Sequence, residues 1–119
     1  MAKIDELTFG SMIVEGKRYR RDVLIFTDDT VKKRKGGFLM FGSHKIKKQE
    51  LEELSQGQPE IIVIGTGTNG AARVAPEAES WTKGQKLNLV VQPSYNAVTR
   101  LNELVEQKKK VAALIHITC

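Results

Sequence analysis

The sequence is poor in the residues that small proteins use for covalent cross-links and metal sites. Its 119 residues include one cysteine, Cys119, which is the last residue, and two histidines, His44 and His116. A single cysteine excludes an internal disulfide, and this usage is typical of a reducing, cytoplasmic compartment. One thiol and two widely separated histidines also lack the spacing of a zinc site, so we predict neither a metal nor another cofactor.

Long apolar runs are absent too. The longest, residues 61–64 and 111–115, are much shorter than the roughly 20 residues that cross a bilayer as a helix. The first residues lack the apolar core of a signal peptide, and no repeat or flexible linker divides the chain. A length of 119 residues with 40% hydrophobic and 28% charged residues is typical of one globular domain. We therefore expect one soluble, cytoplasmic domain over residues 1–119, without membrane insertion.

Two kinds of sequence pattern follow one another along the chain. Residues 1–46 are mainly β and basic, with short apolar runs between glycines and turn residues at 9–16, 23–26 and 38–41. Over residues 47–119 helical and β patterns alternate. The predicted elements there are a helix over 47–56, a strand over 61–64, a helix over 76–83, a strand over 87–91, a helix over 95–109 and a strand over 111–117. This alternation predicts an α/β fold with a largely parallel, helix-covered sheet, and the N-terminal strands would extend the sheet or form a layer beside it.

A glycine-rich turn follows the most apolar strand. Residues 65–70 fit the pattern G-x-G-x-x-G, which in dinucleotide-binding folds brings backbone N–H groups close to a phosphate. The context differs here, because Pro76 interrupts the helix that should open at the third glycine and no acidic residue ends the next strand. The simplest interpretation is a tight connection that needs glycine for positive φ.

A second interpretation of this turn is a ligand site. Ligands of open α/β sheets bind beyond the carboxyl ends of the strands, and Gly65, Thr66, Gly67 and Ser94 are predicted at two such ends. Ser94 is also a plausible N-cap of the long helix, whose first N–H groups can hold an anion. The hypothesis is a shallow crevice for a small anionic ligand, used for binding or by an unrecognised enzyme.

Catalytic patterns are missing. A thiol and an imidazole can form a nucleophile and base, but Cys119 and His116 are three residues apart, and in strand geometry residues three apart face opposite sides. The sequence contains no Gly-x-Ser-x-Gly, Walker loop or His-Glu-x-x-His. No catalytic residue is predicted.

Positive charge is concentrated near the N-terminus. The net charge is +5, and residues 1–48 hold 12 Lys/Arg against 6 Asp/Glu. Lys32, Lys33, Arg34 and Lys35 form the densest run and are the candidate basic surface. Such a surface can bind nucleic acid through phosphate contacts, or it can serve solubility alone. No recognition-module motif is present to favour nucleic acid.

Several short motifs together resemble a known family. They are Phe9-Gly10 with Gly16, Tyr19 and Asp22; Val63-Ile64-Gly65-Thr66-Gly67; Ala97-Val98 with Asn102 and Leu104-Val105; and the ending His116-Ile117-Thr118-Cys119. The chain resembles a small domain-of-unknown-function family with archaeal and bacterial members, a mitochondrial complex I assembly factor and, with the nearest likeness, a mammalian adipogenesis-associated protein. The resemblance implies a three-layer α/β domain with a central mixed sheet flanked by helices and an N-terminal β-hairpin layer.

The same resemblance bears on function. It implies no established enzymatic activity and no catalytic residue, and it implies action through other proteins. The leading hypothesis is a non-enzymatic protein-interaction or assembly module with an unknown protein partner. The alternatives are a small anionic-ligand binder or enzyme that uses the Gly65–Gly67 and Ser94 crevice, and nucleic-acid binding through the basic surface. Self-association stays open, because no sequence feature selects a symmetry.

Overall fold

The computed structural model describes residues 3–34 and 45–119, and it contains ten strands and three helices in those ranges. In chain order they are β1 Ile4–Thr8, β2 Ser11–Val14, β3 Lys17–Tyr19, β4 Val23–Ile25, β5 Val31–Lys33, β6 Lys45–Ile46, α1 Lys48–Ser55, β7 Ile61–Thr66, β8 Arg73–Val74, α2 Pro76–Gly84, β9 Asn88–Gln92, α3 Ser94–Glu106 and β10 Val111–His116. The predicted strand near residues 38–41 lies outside the described residues.

The central sheet has five strands in the order β5-β4-β10-β7-β9. Strands β10, β7 and β9 run parallel, whereas β4 pairs antiparallel with β10 and β5 antiparallel with β4. A separate three-stranded meander, β1-β2-β3, and a two-stranded bridge, β6-β8, complete the sheets. The predicted α/β fold with a central mixed sheet and an N-terminal β-hairpin region is thus confirmed.

Both faces of the central sheet are covered. On one face Val63, Ala113 and Ile115 pack with α3 and the meander, and on the other Ile62, Ile64 and Leu114 pack with α1 and α2. The inner strands β7 and β10 therefore bury the side chains of both faces, which is why their sequences are continuous apolar runs. The result is three layers: α1 and α2, the sheet, and α3 with the meander.

The differences from prediction are local. Strands β1, β3 and β5 and the bridge β6-β8 were not predicted. Helix α3 ends at Glu106, before the lysines at 108–110. The N-cap assigned to Ser94 is wrong: Pro93 is the N-cap, Ser94 is the first residue of the helix, and its hydroxyl bonds elsewhere.

Candidate functional site

The glycine turn after β7 is brought against Ser94 as predicted, but the contact is closely packed. A Cβ atom on Gly65 would lie 2.7 Å from Ser94 Oγ, and Ser94 is fully buried. Gly67 has φ +108°, and a Cβ there would lie 2.3 Å from the carbonyl carbon of Cys119. Both glycines are therefore required by close approach, and Gly67 also by its backbone conformation.

The polar groups of this turn are bonded within the chain. Gly67 N–H donates to Ser94 Oγ at 2.8 Å, and that hydroxyl donates to the carbonyl oxygen of His116 at 2.5 Å. Thr66 Oγ1 donates to the carbonyl oxygen of Gln92 at 3.1 Å. Helix α3 and strands β7, β9 and β10 are thereby tied together at one end of the sheet.

Residues 118 and 119 occupy the position where an anion would meet the turn. Thr68 N–H donates to the carbonyl oxygen of Thr118 at 2.7 Å. The N–H groups of Asn69 and Ala71 donate to the carbonyl oxygen of Cys119 at 3.3 and 2.9 Å. The turn does gather N–H donors, as a phosphate-binding turn does, but here they are engaged by backbone carbonyls of the same chain.

The residues of the candidate basic surface do not share one exposed face. Lys32 and Arg34 point toward α1, where Lys32 Nζ lies 2.7 Å from Glu53 Oε2 and Arg34 Nε lies 2.5 Å from Glu50 Oε2. Lys33 is exposed. Arg34 is only 5% exposed, so its assignment to a basic surface is wrong. Lys35 lies outside the described residues.

Arg34 belongs instead to a buried charge cluster that sequence reasoning missed. We use that name for Asp22, Arg34, Glu50 and His116. Arg34 NH1 donates to Asp22 Oδ2 at 2.9 Å, and Arg34 NH2 donates to Glu50 Oε1 at 2.9 Å. His116 Nδ1 lies 2.7 Å from Asp22 Oδ2. The cluster joins β5, α1 and β10 to the turn before β4.

Hydrogen bonds control the ionisation of this cluster. Burial by itself raises the pKa of Asp22, but hydrogen bonds from His116 and from the Ile117 N–H, together with the nearby charges, hold that pKa below its ordinary value. Burial by itself lowers the pKa of Arg34, but the pairs with Glu50 and Asp22 raise it above its ordinary value. Both groups are therefore charged at neutral pH, and each compensates the burial of the other.

The cluster resembles a catalytic arrangement only in part. His116 Nε2 lies 3.3 Å from Thr118 Oγ1, so the imidazole connects Asp22 to a hydroxyl. However, the His116 side chain is 6% exposed, and Arg34 shares the same carboxylate oxygen. Among residues 3–34 and 45–119, no group of His, Cys, Asp and Glu side chains is arranged to hold a metal ion. The geometry is that of a buried cluster that holds neighbouring segments of the fold together.

An open groove between α2 and β9 was not predicted. It has a volume of about 600 Å³ and is lined by apolar side chains, among them Leu87, Leu89 and Val91, and by polar ones, among them Arg73, Glu79, Thr82 and Lys83. We call it the α2–β9 groove. Val91 is 46% exposed, and nearby Tyr95 is 48% exposed. The sequence signal for this surface is the alternation Leu87, Leu89, Val91, which places three apolar side chains on one face of a strand.

In the described part of the chain, no helix has the length and apolar character needed to cross a membrane.

Comparison with known proteins gives a family and no activity. Residues 4–116 match the family model "Protein of unknown function (DUF498/DUF598)". The chain is similar in structure to the conserved hypothetical protein PH1505 from Pyrococcus horikoshii OT3, with 28% identity, a TM-score of 0.85, and coverage of 98% of this chain and 99% of that one. It is similar to the protein MT938, with 30% identity, a TM-score of 0.83 and full coverage of both chains.

A third likeness bears on the fold alone. A Mth938-like domain from Bordetella pertussis shares 13% identity at a TM-score of 0.73, with coverage of 98% of this chain and 85% of that one. The resemblance found in the sequence is thus confirmed at the level of a domain of unknown function, with structural neighbours from archaea and bacteria. The chain belongs to the DUF498/DUF598 family of proteins of unknown function.

Proposed function

We propose that this chain is a non-enzymatic protein-interaction module that binds an apolar segment of another protein in the α2–β9 groove. The observation that carries the proposal is the groove itself. It is a concave surface whose wall includes Leu87, Leu89 and Val91, and Val91 is about half-exposed. Protein interfaces combine an apolar centre with polar groups around it, and the groove places apolar side chains beside Glu79, Arg73 and Lys83. The proposal treats residues 1–119 as one domain that acts in the cytoplasm.

Two further points support an interaction function. The polar groups that could serve a ligand or a reaction, at the glycine turn and in the buried charge cluster, are bonded to other groups of the chain. The resemblance to the mammalian adipogenesis-associated protein and to the complex I assembly factor also favours action through other proteins. The alternatives have less support, because Arg34 is buried and Lys32 is paired.

Site-resolved photo-crosslinking in the lysate of the native host tests the proposal. A photo-reactive amino acid is placed at Lys83, on the rim of the groove, and in a second protein at Phe9, which is 62% exposed in the β1–β2 turn. We expect one nuclease-resistant protein to be crosslinked from position 83 and not from position 9. The crosslinked peptide should be rich in apolar residues.

Purified components then test the groove directly. Leu87→Gln places an amide on the groove wall, and Phe9→Gln makes the same type of change at an exposed residue of the meander, which packs on the other face of the central sheet. We expect Leu87→Gln to raise the dissociation constant of the crosslinked segment at least about tenfold, an ordinary loss for a buried apolar contact, and Phe9→Gln to leave it unchanged. Equal binding by both variants, each shown to be folded by its thermal unfolding curve, contradicts the proposal.

A further inference from the structure

Strand β9 is an edge strand that lacks the usual protection of edges. It is the last strand of the central sheet and pairs only with β7 among the described residues. Its five residues, Asn88–Gln92, have the sequence NLVVQ, with no charged residue and no proline. Exposed edge strands present backbone N–H and C=O groups to other chains, and monomeric proteins commonly block them with lysine, proline or a bulge. The strand is therefore open to pairing.

The sequence of β9 is complementary to itself. In an antiparallel pair centred on Val90, Asn88 of each copy faces Gln92 of the other, and Leu89 faces Val91. Residues that face each other in such a pair have their side chains on the same side of the sheet. Leu89 and Val91 are in register with Ile62 and Ile64 and share their face, whereas Val90 is in register with Val63 on the α3 side. On the α3 face the amides meet on either side of a central Val90–Val90 contact, and on the other face Leu89 meets Val91.

The residue that this register places opposite Asn88, Gln92, carries an unsatisfied polar atom. Gln92 Oε1 is buried and accepts no hydrogen bond from the part of the chain that the structure describes. Buried polar atoms in native proteins nearly always have a partner. Gln92 borders an open recess of about 380 Å³ beside Tyr95 and Arg100. In an antiparallel β9–β9 pair, Asn88 of the second copy lies opposite Gln92, and a rotation of the Gln92 side chain would let Oε1 accept from the Asn88 amide.

We propose that a second copy of this chain is the partner of β9, and that the two copies form a two-fold symmetric dimer by antiparallel β9–β9 pairing about Val90. The two five-stranded sheets become one continuous sheet, and each copy supplies Asn88 to the Gln92 of the other. The pairing goes beyond the function proposed above, because it uses the backbone at the outer edge of β9, although the side chains of Leu89 and Val91 from the groove wall also meet across the axis. It would bring the two grooves next to each other across the symmetry axis.

Sedimentation velocity over a range of concentrations, with a charge exchange on β9, tests this register. An acidic variant carries Asn88→Asp and Gln92→Asp, and a basic variant carries Asn88→Lys and Gln92→Lys. The native chain should sediment as a species of twice its 13.3 kDa mass. Each variant alone should be monomeric, because like charges face each other, and an equimolar mixture should form a heterodimer in which opposite charges face each other. Lys33→Asp on the opposite edge should leave the native dimer intact.

Three outcomes overturn the proposal: a native chain that stays monomeric up to about 1 mM, a range in which weak specific dimers are detected, charge variants that still form homodimers, or a mixture that forms no heterodimer. Hydrogen exchange of the unmodified protein gives a readout that needs no variant. Backbone amides of β9 should become slower to exchange as the concentration rises, while those of β5 do not change. Concentration-independent exchange at β9 contradicts the dimer. Failure of the groove variant Leu87→Gln to affect partner binding would contradict the proposed function alone.

Discussion

The two edges of the central sheet are built in opposite ways. Strand β5 has three residues, Val31–Lys33, of which two are lysines, and Lys32 is paired with Glu53. Strand β9 has five residues, no charge, and an exposed valine at position 91. Short length and lysines are the devices by which proteins prevent edge pairing. The comparison indicates that association is prevented at one edge of this sheet and permitted at the other.

The two edges also differ in the polar interactions that attach them to the rest of the fold. Strand β5 is followed by Arg34, whose guanidinium connects Asp22 and Glu50 in the buried charge cluster. The carboxyl end of β9 is joined to the rest of the sheet by a neutral bond from Thr66 Oγ1 to the carbonyl of Gln92. Removal of a buried charge should therefore affect the protected edge far more than any single change affects the open one.

The largest effect is expected for Arg34→Ala. This substitution leaves the mostly buried carboxylates of Asp22 and Glu50 without the guanidinium that pairs with both. We therefore expect a loss of about 3–5 kcal/mol in the free energy of unfolding. Urea unfolding followed by circular dichroism measures this loss. The matched control is Lys33→Ala, the exposed residue directly before Arg34, which should change stability by less than about 0.5 kcal/mol. A loss of less than about 1 kcal/mol for Arg34→Ala would mean that the cluster behaves as a solvated surface pair.

Lowering the pH should reduce the contribution of this cluster to the free energy of unfolding. The folded-state pKa of Asp22 lies below its ordinary value of 3.8, so the ionised carboxylate stabilises the fold above that pH, and this contribution is lost as the pH falls through the folded-state pKa. Asp22→Asn lacks the titrating group. The stability difference between the native chain and Asp22→Asn should therefore shrink as the pH is lowered from about 5 to about 2.5. Urea titrations at each pH measure the difference, and a constant difference contradicts the assignment.

Much of the central sheet could be predicted from the sequence because its signals are local. The runs that became β7 and β10 are apolar on both faces, and α2 begins with a proline and acidic residues at its N-terminus. Strands β1, β3 and β5 are short and contain charged residues, and β1 has an irregular register between Ile4 and Glu6. Each of them pairs antiparallel with a neighbouring strand in sequence, but three to five residues with charged side chains are too few to show a clear apolar alternation.

The candidate site was predictable only in its location. The glycine turn and Ser94 do meet, with 2.8 Å between Gly67 N and Ser94 Oγ, because the carboxyl ends of adjacent parallel strands lie together. That residues 118 and 119 occupy the turn depends on how the segment after β10 runs, and its sequence does not specify this. Arg34 looked like part of a basic run because its partners, Asp22 and Glu50, lie 12 and 16 residues away. The sequence did contain a clue. Lys32 and Arg34 are two residues apart, as side chains on one side of an extended chain are, and Glu50 and Glu53 are three apart, as side chains on one face of a helix are.

The smallest change in stability, with a large change in assembly, is expected when β5 is made to resemble β9. Lys32→Val together with Lys33→Val removes one half-exposed ion pair, worth about 0–1 kcal/mol, and leaves an uncharged edge. If β9 already pairs copies two by two, a second self-complementary edge makes each chain bivalent, so the sheets should join into open-ended assemblies. Light scattering should rise with concentration, and adding Asn88→Lys with Gln92→Lys should return the assemblies to small species. Lys109→Val with Lys110→Val removes the same charge away from both edges, so equal scattering by that control would attribute the effect to net charge and not to the edge.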